Sequence, residues 1–155
     1  MIGAGAARKP ARKLINYCTV KMIFLDTSFI IAYYNDIDEN HDRAMEISRV
    51  LEEEAYGDVF MSDYIFNECA SVLFMRLKSI SKSVNILEDI KKSVNLVFMN
   101  EFIFDNTLEI FRKQRNTKFS FTDCSILSIM EHAGVKNLVS FDRDFNKIEG
   151  INVVC

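Results

Sequence analysis

The chain has 155 residues, of which 49% are hydrophobic, and this size and composition suit one domain with a single core. No apolar run approaches the roughly 20 residues that span a bilayer, so we expect no membrane-spanning segment. Four scattered cysteines and two histidines offer little for a disulfide framework, a zinc site or a serine–histidine–aspartate triad. This favours a reducing, cytoplasmic location and a chemistry based on carboxylates, and the formal net charge of −3 does not indicate a nucleic-acid-binding protein.

The first 21 residues differ in composition from the rest of the chain. They contain no acidic residue and five basic ones, namely Arg8, Lys9, Arg12, Lys13 and Lys21. We predict that residues 1–21 form a basic, flexible N-terminal extension and that residues 22–155 form the folded domain. A start of translation at Met22 and a flexible arm are both compatible with this pattern.

The first predicted strand is Met22–Leu25, four consecutive apolar residues that are typical of a strand buried on both faces. Asp26 follows directly, and the apolar run 29–34 predicts a helix after it. Because open parallel sheets bind ligands beyond the carboxyl ends of their strands, Asp26 stands where chemistry is expected. Taken alone, however, the residue is better explained as a helix cap.

The remaining predicted elements alternate between helix and strand. The sequence predicts helices over residues 41–54, 63–77, 83–93, 101–115 and 122–132, with Gly134 as the last C-cap, and strands over 59–61, 95–99, 137–140 and 151–154. Such alternation is typical of an α/β domain with a mainly parallel sheet and helices on both faces. We find no domain boundary after residue 22.

Three further acidic residues occupy unexpected positions. Glu68 lies on a helical stripe with Ile65, Cys69 and Val72, where an unpaired charge is costly. Its simple explanation is a position at the rim of the buried face or a pairing with a basic residue.

Asp123 shares a helix face with Ile126, Leu127 and Met130, and an acid in the first turn also complements the helix dipole. Asp142 follows a predicted strand, as Asp26 does, and is otherwise an ordinary turn residue.

Taken together, the four acids Asp26, Glu68, Asp123 and Asp142 are predicted to converge on one end of the sheet. Four carboxylates do not share a small cleft unless some are protonated or a cation is present. Mg²⁺ or Mn²⁺ fits best, because these ions prefer oxygen ligands. A site of this kind suits phosphoryl chemistry.

Residues 22–155 resemble the PIN domain family, and in particular the VapC-type ribonuclease toxins of toxin–antitoxin pairs. The matching motifs are Leu25-Asp26-Thr27-Ser28, Asn67-Glu68, Phe121-Thr122-Asp123 and Val139-Ser140-Phe141-Asp142-Arg143-Asp144-Phe145. The resemblance implies a sheet of about five strands and a Mg²⁺- or Mn²⁺-dependent endoribonuclease that leaves a 5′-phosphate and a 3′-hydroxyl. It also implies a small cognate antitoxin and a homodimer, with residues 64–99 contributing to both interfaces.

The roles of the family's site residues can be transferred to matching positions. Asp26, Asp123 and Asp142 become metal ligands, and Glu68 becomes the fourth catalytic acid. Ser28 becomes an accessory hydroxyl that fixes the first carboxylate or a metal-bound water. Asp144 is the alternative to Asp142 as the last acid, and we prefer Asp142 because it is nearer the strand end.

Binding RNA near an acidic centre requires positive charge, and candidates precede Asp123 in the chain. They are Arg112, Lys113, Arg115 and Lys118. A solvated helix end with bases that complement the dipole explains them equally well.

Other functions remain open at this point. A PIN nuclease of ribosomal-RNA processing or RNA decay and a non-catalytic RNA- or protein-binding module of this fold are alternatives. A haloacid-dehalogenase-like phosphatase is disfavoured, because Ser28 stands where that chemistry requires a second aspartate.

Overall fold

The computed structural model describes residues 21–155, so the predicted basic extension lies outside the described residues except for Lys21. Strands and helices alternate in this part of the chain. In order they are β1 (Met22–Leu25), α1 (Thr27–Tyr34), α2 (His41–Glu52), β2 (Asp58–Ser62), α3 (Asp63–Leu77), α4 (Ile80–Ser93), β3 (Asn95–Val97), α5 (Glu101–Lys113), α6 (Phe121–Ala133), β4 (Asn137–Val139), a 3₁₀ helix (Arg143–Lys147) and β5 (Asn152–Val154).

The five strands form one parallel sheet in the order β3-β2-β1-β4-β5. The central strand β1 is buried along its whole length, as its four apolar residues predicted. Leu25 at the end of β1 lies beside Val139 at the end of β4. The predicted α/β fold with a parallel sheet of about five strands is therefore confirmed.

The connections between the strands change direction at the centre of the sheet. From β1 the chain proceeds through β2 to β3 on one side and then returns to β4 on the other side of β1. Right-handed crossovers place α1–α4 on one face and α5 and α6 on the other. In agreement, α1 packs on α2 and α3, and α5 packs on α6. The order reverses between β1 and β4, and parallel sheets bind ligands at such a point.

Most predicted boundaries hold to within two residues, and the larger difference at the start of α4 arises from the hydrogen bond of one polar side chain. Helix α4 begins at Ile80 rather than at residue 83, because the Ser79 hydroxyl accepts a hydrogen bond from the Lys82 N–H (3.4 Å). The 3₁₀ helix was not predicted. Gly134 ends α6 with a φ of 68°, as expected for a glycine C-cap.

The core holds the elements around Asp26 in place. Phe24 and Leu25 before it and Phe29 and Ile30 after it are each at most 1% exposed. Fully burying such a side chain contributes roughly 1.5–3 kcal/mol, so the backbone at Asp26 is anchored on both sides. Within residues 21–155, no helix has the length and apolar character needed to cross a membrane.

Candidate active site at the sheet's carboxyl edge

Asp26 lies at the end of β1 and is only 3% exposed. Its Oδ1 accepts a hydrogen bond from the Thr27 N–H (2.6 Å), and its Oδ2 accepts hydrogen bonds from the hydroxyls of Ser28 (2.6 Å) and Ser140 (2.7 Å). All three donors are neutral. Burial is the largest effect on this carboxyl and raises its pKa from 3.8 to about 6. The negative charge of Asp123 also raises the pKa, while the three hydrogen bonds lower it.

The hydroxyls of Ser28 and Ser140 connect Asp26 to the loop that follows β4. Ser28 Oγ accepts a hydrogen bond from the Phe141 N–H (3.0 Å), and Ser140 Oγ accepts one from the Asp142 N–H (3.0 Å). These bonds bridge the point where the strand order reverses. The hydroxyl interaction expected of Ser28 is therefore present, and the position of Asp142 depends on the same network.

Ser140 was missed as a site residue, although one signal could have identified it. Asp26 and Ser140 each follow the last residue of their strand, and those last residues, Leu25 and Val139, are partners in the sheet. Once β1 and β4 are taken as neighbours, a small hydroxyl at this position is expected to reach Asp26.

Glu68 is partly exposed on α3 and accepts a hydrogen bond from the Thr27 hydroxyl (2.5 Å). The sequence did not indicate Thr27 as a partner. The adjacent Cys69 is fully buried, and this burial, together with the charges of Asp26 and Glu68, raises the pKa of its thiol. Cys69 is therefore held as a neutral thiol, and both Asp26 and Glu68 lie close enough to act on it electrostatically.

Asp123 caps the start of α6 and also belongs to the acidic site. Its Oδ2 accepts hydrogen bonds from the Ser120 N–H (2.7 Å) and hydroxyl (2.8 Å), and its N–H donates to Ser120 Oγ (3.1 Å). This is a capping box, and Asp123 lies in the first turn of α6, as its explanation by the helix dipole requires. Burial raises the pKa of Asp123, and the charges of Asp142 and Glu68 raise it further. The four predicted acids therefore interact electrostatically.

Asp142 and Asp144 differ in their surroundings. Asp142 is exposed, and its Oδ1 accepts a hydrogen bond from the Asp144 N–H (2.8 Å), which starts the 3₁₀ helix. Asp144 accepts hydrogen bonds from the Lys147 ammonium (2.5 Å) and the Lys118 N–H (2.9 Å), and both lower the pKa of its carboxyl. Asp144 thus joins the loop before α6 to the 3₁₀ helix, and both of its oxygens are engaged.

The four basic residues before Asp123, which are candidates for RNA binding, make different contacts. Arg112 and Lys113 both pair with Glu109 on their own helix, the latter at 3.2 Å. Arg115 is exposed, and Lys118 approaches the 3₁₀ helix through its backbone bond to Asp144. Only Lys118 is therefore brought next to the acidic motif at the end of the chain.

The acids fit a divalent cation by their chemistry but are not gathered into a finished ligand set. They offer only oxygen ligands, and their charges raise one another's pKa, which is the situation that a hard cation relieves. Within residues 21–155, no three acidic, histidine or cysteine side chains are grouped closely enough to hold a metal ion as they stand. Oδ2 of Asp123 and Oδ1 of Asp142 are instead engaged by backbone N–H groups.

Solved structures of other proteins share this fold. VapC20 from Mycobacterium tuberculosis, a toxin that cleaves the sarcin–ricin loop, superimposes with a TM-score of 0.70 at 23% identity, covering 81% of this chain and 93% of that one. DNA-bound VapBC from Salmonella typhimurium gives a TM-score of 0.63 at 17% identity, with coverages of 88% and 98%. VapBC-1 from nontypeable Haemophilus influenzae gives 0.62 at 17% identity, with coverages of 86% and 96%.

The sequence itself also identifies the family. No curated protein matches it, and the identities to the solved structures are low enough that the likeness is one of fold. The family model described as PIN domain, however, matches residues 23–151, a range that includes Asp26, Glu68, Asp123 and Asp142. The chain therefore belongs to the PIN domain family.

Proposed function

We propose that this protein is a Mg²⁺- or Mn²⁺-dependent endoribonuclease and the toxin of a VapBC-type toxin–antitoxin pair. The observation that carries the proposal is Asp26, a buried carboxylate at the switch point of a PIN domain. Its hydrogen-bond donors are neutral, and burial, together with the charge of Asp123, raises its pKa. The shared fold with VapC20 and with VapBC complexes supports the assignment to toxins.

In the proposed mechanism, Asp26, Asp123 and Asp142 would hold the metal, and Glu68 would complete the site or orient the attacking water. When bound, the divalent cation lowers the pKa of water and offsets the charge that develops on the phosphate. Ser28 and Ser140 hold the Asp26 carboxylate in one orientation without neutralising it.

Two consequences of this mechanism concern the products. Water attacks the phosphodiester bond in line, so the RNA 2′-hydroxyl takes no part as nucleophile. Cleavage then leaves a 5′-phosphate and a 3′-hydroxyl. A 2′,3′-cyclic phosphate among the products would contradict the proposal.

Exposed apolar side chains support the proposed protein partners. Met75 and Ile80, near the α3–α4 junction, are 74% and 68% exposed, and Phe98 after β3 is 69% exposed. All three are large apolar side chains that a protein partner would remove from water. We propose that this region provides a homodimer face and part of the antitoxin site, in a cytoplasmic protein. Sedimentation of the wild type and of Met75→Asp tests the dimer.

The function is tested with a defined mixture of structured and unstructured RNAs in Mg²⁺, in Mn²⁺ and in EDTA. Wild type is compared with Asp26→Asn and with Asp105→Asn, which makes the same chemical change at an exposed position on α5. We expect metal-dependent cleavage by wild type and Asp105→Asn and none by Asp26→Asn.

The other outcomes separate the alternatives. Equal cleavage by all three proteins identifies a contaminating nuclease. RNA binding without cleavage in any metal favours a non-catalytic RNA-binding PIN module. Cleavage confined to ribosomal-RNA precursors favours a processing enzyme over a toxin.

A further inference from the structure

A depression of about 200 Å³ opens beside the acidic site. Its lining includes Ser140 and Asp142, which belong to that site, together with Asn40, Arg43, Arg143 and Asn146. The fold thus brings together two arginines and two asparagines from positions about 100 residues apart in the sequence. Such a set of hydrogen-bond donors at the edge of an acidic centre calls for a separate explanation.

Most of these donors have no side-chain partner among the residues that the structure describes. Among residues 21–155, the side chains of Asn40, Arg143 and Asn146 form no hydrogen bond and no ion pair. Asn40 occupies the N-cap position of α2, but its side chain makes no capping bond. These groups are therefore free to bind a ligand from solution.

Arg43 is held in place and keeps one free end. Its Nε donates to the carbonyl oxygen of Cys155 (2.9 Å), and its Nη1 pairs with Glu46 (2.8 Å). The remaining nitrogen, Nη2, forms no hydrogen bond with residues 21–155. A guanidinium fixed in this way loses less conformational entropy when it binds an anion.

The chemistry of the lining selects a phosphate ligand. Guanidinium groups match phosphate oxygens with paired hydrogen bonds, and asparagine amides donate to phosphate and sugar oxygens. The volume is smaller than the roughly 300–1,000 Å³ of sites for drug-sized molecules, so it suits one phosphodiester group and its sugar. Because Ser140 and Asp142 are shared, a group bound here lies next to the acids.

We propose that this depression binds the phosphodiester group adjacent to the scissile bond of single-stranded RNA, with Arg143 and Arg43 as the phosphate contacts. The inference rests on the proposed ribonuclease function. An RNA strand approaching four carboxylates is repelled, and the two arginines supply the attraction that the acids lack. Arg112 and Lys113, the candidates from the sequence, do not line this depression.

Binding of a fluorescein-labelled, single-stranded RNA twelve nucleotides long tests the proposal. Fluorescence anisotropy with the full chain in EDTA, where metal-dependent cleavage is blocked, gives Kd over a series of salt concentrations. Arg143→Ala and Arg43→Ala are compared with Arg49→Ala, which removes the same charge from an exposed position on the helix that carries Arg43. Arg143→Gln serves as a second variant, and urea unfolding confirms that each protein is folded.

We expect Arg143→Ala to weaken binding about tenfold and to reduce the slope of log Kd against log salt by about 0.7, the value for one lost contact to a single strand. Arg49→Ala is expected to leave this slope unchanged. Equal effects of Arg143→Ala and Arg49→Ala, with wild-type binding intact, overturn the phosphate site and leave the nuclease assignment standing. Failure of wild type to bind any RNA overturns the phosphate site, while the cleavage assay in Mg²⁺ and Mn²⁺ decides the nuclease assignment separately.

Discussion

Replacing Asp26 with asparagine is expected to stabilise the protein while abolishing cleavage. Burial raises the pKa of Asp26 from 3.8 to about 6. Between these values the folded protein binds more protons than the unfolded chain, so stability decreases as the pH rises through this range. Above about pH 6 the whole penalty is present, and a shift of about two pKa units corresponds to about 3 kcal/mol.

The asparagine variant loses part of this gain because it changes the hydrogen bonds. Oδ2 of Asp26 accepts bonds from the hydroxyls of Ser28 and Ser140, and the amide nitrogen of asparagine is a donor. Losing one such bond costs about 1 kcal/mol. The net stabilisation is therefore about 2 kcal/mol near neutral pH. For a chain of this length, that corresponds to an increase in Tm of about 4–8 °C.

Urea unfolding in EDTA at pH 7.5 and pH 4.5 measures this effect, with Asp105→Asn as the control for an exposed carboxylate. The advantage of Asp26→Asn over wild type is expected at pH 7.5 and should nearly vanish at pH 4.5, where most of the buried carboxyl is protonated. If Asp26→Asn is no more stable than wild type at pH 7.5, while Asp105→Asn is unchanged, the buried carboxylate is not a cost to the fold and the reasoning fails.

Three other results are expected. Ser140→Ala should lower kcat at least tenfold with a smaller change in RNA affinity in EDTA, because the hydroxyl orients Asp26 and holds the Asp142 N–H but contacts few RNA atoms. Asp142→Asn should abolish cleavage. Asp144→Asn should mainly lower the unfolding midpoint, because Asp144 joins Lys147 to the loop before α6. An equal loss of kcat in both variants would contradict this assignment. Mn²⁺ at about 100 times its Kd should stabilise wild type by about 2.7 kcal/mol and leave Asp26→Asn unaffected, as measured by thermal unfolding.

Local sequence patterns predicted the elements well because each pattern reports on the burial of a single strand or helix. Four apolar residues were enough to identify β1, and Asp26 followed from its position after that strand. The 3₁₀ helix at Arg143–Lys147 was missed because it is short, mostly polar and started by one side-chain bond from Asp142 rather than by a periodic apolar face.

The hydroxyls of the site depend on tertiary structure and could not be predicted in the same way. Ser140 reaches Asp26 only because β4 lies beside β1, and local sequence patterns do not show which strands are neighbours. Thr27 reaches Glu68 because α1 packs on α3. Arg43 and Arg143 line one depression for the same reason, because α2 and the 3₁₀ helix are far apart in the sequence but meet in the folded protein.

The contrast between Asp26 and Asp144 explains why the site uses hydroxyls to hold its central carboxylate. Lys147 donates to Asp144 and helps to lower its pKa, so that carboxylate is charged and already neutralised. Asp26 is held by neutral hydroxyls, which fix its orientation but leave its charge uncompensated and its pKa raised. A cationic donor beside Asp26, like the Lys147 ammonium beside Asp144, would offset this charge and weaken the attraction for a divalent cation. An uncompensated buried carboxylate is what the proposed metal-binding role requires, because a divalent cation would relieve the cost of burying the Asp26 charge.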